Sequence, residues 1–139
     1  MSPELLLPDA YGFSEARPTK ESDCYALGMV VHEILSGSTP FGRENLTVII
    51  LKVFEGERPE RPEGDAAKLF TDGIWGMVER CWKDQPKERA SARDLLRCLE
   101  GVRTEGGAED LSDAALGDLE YVFFFHLIKD SSSIITPLL

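Results

Sequence analysis

Over residues 1–101 apolar positions recur at helical spacing, and no alternation long enough for a strand interrupts them. Leu27, Val30, Val31, Ile34 and Leu35 stand at i, i+3, i+4, i+7 and i+8, one stripe along a helix expected from about Thr19 or Ser22 to Ser36. Pro18 and the polar run Thr19-Lys20-Glu21-Ser22-Asp23 give its start signal, and Gly37 sits where a left-handed C-terminal cap costs least. A second helix is expected from about Arg43 to Glu55, with Leu46, Ile49, Ile50, Val53 and Phe54 at the same spacing. Val48 and Leu51 widen its apolar surface, so it either packs between other helices or presents a patch to a partner. Two prolines and flanking glycines make residues 56–64 a loop. The third helix, from about Ala67 to Lys83, sets Phe70, Ile74, Val78 and Trp82 four apart; Gly73 and Gly76 each weaken it by roughly 1 kcal/mol relative to alanine, so packing must hold it. Ser91 with Asp94 three residues on reads as a capping box ahead of Leu95, Leu96 and Leu99, in a fourth helix ending near Glu100 or Gly101.

Beyond that point the pattern changes. Residues 104–118 are rich in Gly, Ala, Asp and Glu and read as an acidic linker. Residues 119–139 form an apolar tail that either docks as a helix or aggregates, Tyr121 to Phe125 being of the kind hazardous when exposed. The helical unit before them spans residues 1–103.

Composition adds limits. A chain of 139 residues with 42% hydrophobic content supports one core. The formal charge is −10, and residues 101–139, with seven acidic and two basic side chains, carry half of that excess. No nucleic acid partner is expected, because phosphate binding needs clustered Lys or Arg. Lys83, Lys87, Arg89 and Arg93 sit among Asp84, Glu88 and Asp94 and read as a solvated mixed face. Leu5-Leu6-Leu7 is cut by Pro8 and Asp9 before a signal-peptide core could form, and the run from Tyr121 to Ile128 is too short to span a bilayer, so a cytoplasmic location is expected. Cys24, Cys81 and Cys98 are isolated in apolar-periodic segments and read as reduced thiols, with no metal site. Neither His32 nor His126 has an Asp or Ser at a spacing that suggests a nucleophile relay.

Several landmarks stand in a fixed order. Ser2-Pro3-Glu4 resembles the A-P-E motif that closes the activation segment of eukaryotic protein kinases. Lys20-Glu21-Ser22-Asp23-Cys24-Tyr25-Ala26-Leu27-Gly28 is similar to that family's K-x-S-D-V-W-S-F-G, with Cys24 and Tyr25 departing from the usual Val-Trp. Pro40-Phe41-Gly42 follows, and Arg80-Cys81-Trp82 through Arg89-Ala90-Ser91 resembles R-C-W-x-x-[DN]-P-x-x-R-P-[ST], with Ala90 for Pro. The resemblance is to the tyrosine-kinase-like serine/threonine or tyrosine type and covers residues 2 to about 102.

It implies an all-α fold, a partial protein-kinase C-lobe of about four core helices with a divergent C-terminal tail. It also implies that Glu4 and Arg89 meet as a structural ion pair, and that Asp23 anchors the catalytic loop. At the start of its helix the Asp23 carboxylate also suits capping of free N–H groups. Catalytic, cofactor-binding and metal residues are expected to be none: no Gly-rich loop, strand lysine, H-R-D or D-F-G motif occurs, so ATP and Mg belong to a complete domain only. The expectation is a protein-kinase-family fragment inactive alone. The alternatives are a non-catalytic helical binding module or decoy, or a nonfunctional remnant. Expected partners are a protein, or absent kinase segments, at the apolar helix surfaces.

Overall fold

The computed structural model describes residues 1–105, with side chains to residue 101; the expected acidic linker from Gly106 on, the apolar tail and His126 lie outside the described residues. The described residues contain five α-helices and no strand: α1 (Pro3–Leu6), α2 (Lys20–Ser36), α3 (Leu46–Phe54), α4 (Asp72–Cys81) and α5 (Ala92–Glu105). Short 3-10 turns stand at Pro8–Tyr11, Ala66–Lys68 and Pro86–Glu88. Helix α2 packs on α4, and α4 on α5. Tyr25, Val31, Phe70, Ile74, Val78 and Leu95 are fully buried between them.

Helix α2 starts on a reciprocal capping box. Ser22 N–H donates to Thr19 Oγ1 at 3.1 Å and Thr19 N–H to Ser22 Oγ at 2.9 Å. Thr19 and Ser22, and not Asp23, therefore cap this helix; Asp23 lies a residue too far along and contributes only its N–H, to Thr19 O. Gly37 closes the helix at φ 66°. Midway, α2 and α4 approach so closely at Gly28 that an added Cβ would stand 2.8 Å from both Cys81 Cβ and Trp82 Nε1.

Three helix boundaries differ from the periodicity. Helix α3 begins at Leu46 rather than near Arg43, because Asn45 turns its side chain to accept Val48 N–H at 3.0 Å. Helix α4 does not start near Ala67: the Thr71 hydroxyl accepts Ile74 N–H, and the chain before it is a 3-10 turn. Phe70 still reaches the core, as the residue before the cap, and meets Trp75 edge-on at 5.8 Å, a hydrophobic staple. Helix α5 runs past Glu100 and Gly101 to Glu105, and its Ser91–Asp94 box is present, with Ser91 N–H on Asp94 Oδ2 and Asp94 N–H on Ser91 Oγ. Gly101 is not among the glycines of positive φ, so it continues the helix where Gly37 ends one. Helix α1 is too short for any period to reveal; Pro3 at its first turn starts it, and the chain turns away at Leu7 before Pro8.

Candidate functional site: a buried guanidinium and its socket

Helix α1 and the residues just before α5 lie far apart in sequence, and one side chain joins them. Arg89 follows the Pro86–Glu88 turn, whose proline fixes the backbone and aims the side chain inward. Its Nη1 and Nη2 donate to Glu4 Oε1 and Oε2, each at 2.7 Å, a bidentate fork. Its remaining donors reach three backbone carbonyls: Nε to Lys83 O at 2.8 Å, Nη1 to Glu21 O at 3.0 Å and Nη2 to Asp84 O at 3.2 Å. All five guanidinium N–H groups thus have a direction and an acceptor. The Arg89 side chain is 0% exposed and that of Glu4 2%, so Arg89 does not belong to the solvated face of Lys83, Lys87 and Arg93. Burial pushes the Glu4 carboxyl up, but the hydrogen bonds and charge of Arg89 outweigh it and hold the group below its ordinary range.

An aromatic floor lies under the pair. The Arg89 guanidinium carbon is 5.0 Å from the Tyr25 ring centroid, and that of Arg58 is 5.4 Å from it. Tyr25 is fully buried, its hydroxyl has no hydrogen-bond partner, and burial first of all pushes it up to about 12. Arg58 donates from Nε to Trp82 O and from Nη1 to Val53 O and Glu57 O. Tyr11, in the turn after α1, donates to Asp84 Oδ1 at 2.6 Å.

The other sequence-derived residues lie elsewhere. Asp23 is half-buried, and no hydrogen bond from the described residues reaches its carboxylate. His32 is buried among Phe70, Trp75 and Trp82 with its Nε2 at 3.2 Å from Glu60 O; the carbonyl can only accept, so Nε2 carries the proton. Cys81 and Cys98 are free thiols, Cys24 is buried, and burial pushes Cys81 up to about 12. Among the described residues no group of three or more His, Cys, Asp or Glu is placed to hold a metal ion, and no helix is long and apolar enough to cross a membrane. A cleft of about 480 Å³ between residues 38–44 and 57–63 has charged walls, in which Lys52 pairs with Glu44 and Glu57. Arg58 and Tyr25 as partners of the site went unrecognised in the sequence: Arg58 lies in a loop without period, and Tyr25 showed only as a departure from the Trp of the motif.

Comparison with known proteins decides the family. Residues 1–99 match the family model for protein tyrosine and serine/threonine kinase. This chain belongs to the protein tyrosine and serine/threonine kinases. Across its relatives in this kinase family, it is 30% identical over 122 residues to the serine/threonine-protein kinase PkaA of Streptomyces coelicolor, covering 87% of this chain and 21% of that one. It is 34% identical over 86 residues to the serine/threonine-protein kinase mos of Patiria pectinifera, covering 60% of this chain and 23% of that one. It is also 28% identical over 88 residues to the cytoplasmic tyrosine-protein kinase BMX of Mus musculus, covering 63% of this chain and 13% of that one. The chain therefore spans less than a quarter of the length of these kinases.

Proposed function

We propose that this chain forms the lower helical part, the C-lobe, of a kinase domain whose complete form phosphorylates proteins from ATP, and that the chain alone transfers no phosphate. The observation carrying this reading is the buried Glu4–Arg89 fork between two motifs that match the family in order. Its role is structural: it ties the end of an activation segment to the helices beneath. Asp23, with its carboxylate uncommitted among the described residues, is the group that would hold a catalytic loop's backbone N–H groups. ATP and Mg would bind the complete domain, since phosphoryl transfer needs a phosphate-covering loop, a lysine, a catalytic base and a metal ligand, and these 139 residues hold none of those motifs. The free Cys81 thiol inside the core accords with a cytoplasmic setting.

The test is phosphate transfer from labelled ATP to a generic protein substrate, by the purified chain alone and then mixed with a polypeptide carrying the Gly-rich, H-R-D and D-F-G segments of a related kinase. Transfer only in the mixture, weakened by Asp23→Asn, is expected; transfer by the chain alone would overturn the reading.

A second reading, a non-catalytic binding module or decoy, is favoured by one observation. Leu46, Leu51 and Phe54 of α3 are 72%, 54% and 58% exposed, and Val48 beside them is exposed as well. Under it, Leu51→Glu abolishes partner binding and leaves the fold intact.

A further inference from the structure

Just past α4, the carbonyls of its C-cap Trp82 and of Lys83 and Asp84 in the following turn are taken by two arginines from different parts of the chain. Arg58 Nε donates to Trp82 O at 2.9 Å, and Arg89 to Lys83 O and Asp84 O at 2.8 and 3.2 Å. Both guanidiniums also face the ring of Tyr25. From this socket each reaches outward to a different helix. Arg89 holds Glu4 of α1, while Arg58 Nη1 donates to Val53 O in the last turn of α3, at 3.1 Å, and to Glu57 O just after it, at 2.7 Å. The Asp84 carboxylate closes the circuit, accepting from Tyr11 at 2.6 Å and lying 3.8 Å from Arg58 Nη2.

We propose that Arg58 is a positioning residue for the Glu4–Arg89 pair, acting through the Tyr25 ring and the residue 82–84 turn, so that the seating of α3 and the seating of α1 are coupled. The physical reason is rigidity. The Arg89 fork is planar and its donors are all committed, so it cannot follow a displaced turn without losing a bond. Tyr25 is fully buried, and no solvent replaces a guanidinium withdrawn from its ring. Arg58 in turn is fixed by three carbonyls, which a lysine, with one ammonium and no fork, does not engage together. The inference concerns this chain's own packing and holds whether or not the kinase reading does.

The experiment uses Arg58→Lys, which keeps the charge, and Glu4→Gln, singly and combined, with urea denaturation of the full chain. No hydrogen bond or ion pair joins residues 4 and 58, so if they act independently their fold-losses in the folding constant multiply. Coupling predicts a departure from that product of at least about fivefold, and a product obeyed within about twofold overturns the proposal. General loosening is separated by a second readout, solvent exchange of the Arg89 Nε–H followed by NMR under native conditions. In Arg58→Lys it is expected to quicken by about tenfold or more relative to the Val78 amide in α4, which reports global opening. An unchanged ratio overturns the proposal. If Arg58→Lys does not fold, Arg58→Gln, which retains an N–H donor for one carbonyl, is read by the same two criteria.

Discussion

Replacing Arg89 by alanine isolates what the buried fork contributes. The substitution removes both bonds to Glu4 and leaves its carboxylate, 2% exposed, without a counter-charge, while Lys83 O, Glu21 O and Asp84 O each lose a donor. Breaking a buried pair from one side costs about 3–5 kcal/mol. A domain holds about 5–15 kcal/mol in all, so the variant should lose about a fifth of its stability or more. Glu4→Gln should cost less, because the Arg89 guanidinium keeps three carbonyl acceptors. The effect should also depend on pH, and its sign is fixed by the direction of the Glu4 shift. In the native chain Glu4 is held below its ordinary value of 4.5, so its contribution is present above that pH and is lost as pH falls through the lower folded value. Without Arg89, burial, the largest of the influences on Glu4, is opposed only by hydrogen bonds from its own backbone and Ser2, so the group rises from its native value and the carboxylate's stabilisation at neutral pH shrinks or reverses. The two proteins should therefore differ most at pH 7, and the gap should narrow as pH falls through 4.5 toward the lowered native value of Glu4. Urea unfolding followed by the fluorescence of Trp75 and Trp82, at pH 7 and again near pH 4, measures both terms. A loss under about 1 kcal/mol at pH 7, or one that does not shrink in acid, would refute the account of a stranded carboxylate.

Gly28→Ala forces a methyl into Cys81 Cβ and the Trp82 indole, each 2.8 Å away, and should lower stability by about 1–3 kcal/mol in thermal melts despite alanine's better helix propensity; an unchanged melt would mean that α2 and α4 separate freely. Tyr25→Phe removes a buried hydroxyl that has no partner and keeps the ring under both arginines, so it should be neutral or stabilising by up to about 1 kcal/mol, and a clear loss in the same melts would show the hydroxyl to be engaged. In native protein at pH 8, iodoacetamide should label the partly exposed Cys98 ahead of Cys24 and Cys81, the last of which burial pushes up to about 12; peptide mass mapping showing Cys81 labelled first would contradict its enclosure.

Much of the helical order was legible from one-dimensional spacing, and the lapses share a cause. Period finds which face of a segment is buried, but polar caps decide where the segment starts. Phe70, Ile74, Val78 and Trp82 are all buried, although only Ile74 and Val78 lie in the body of α4, because the Thr71 cap places Phe70 outside it. Likewise Asn45 shortens α3, and Gly101, at ordinary helical φ, fails to stop α5. The surroundings of Arg89 were less legible. Local pattern read it as one charge on a wet face, and the approach of Glu4, 85 residues away, entered only through the likeness of two motifs to a family. Arg58 gave no signal, since its three acceptors are backbone carbonyls and any sequence supplies those.

The 85-residue separation within the Glu4–Arg89 pair bears on the order in which the molecule assembles. Bringing together ends so far apart carries a loop-closure entropy that only prior docking of the intervening helices reduces. Those helices, α2 and α4, must meet before Arg89 has a socket from which to reach. During synthesis from the N-terminus, Ser2-Pro3-Glu4 is thus made before the helices that receive it and seated after them. Until Arg89 arrives, the Glu4 carboxylate gains nothing by leaving water, so α1 waits hydrated beside an incomplete core. A segment made ahead of these helices is in this way the latch that registers completion of their packing.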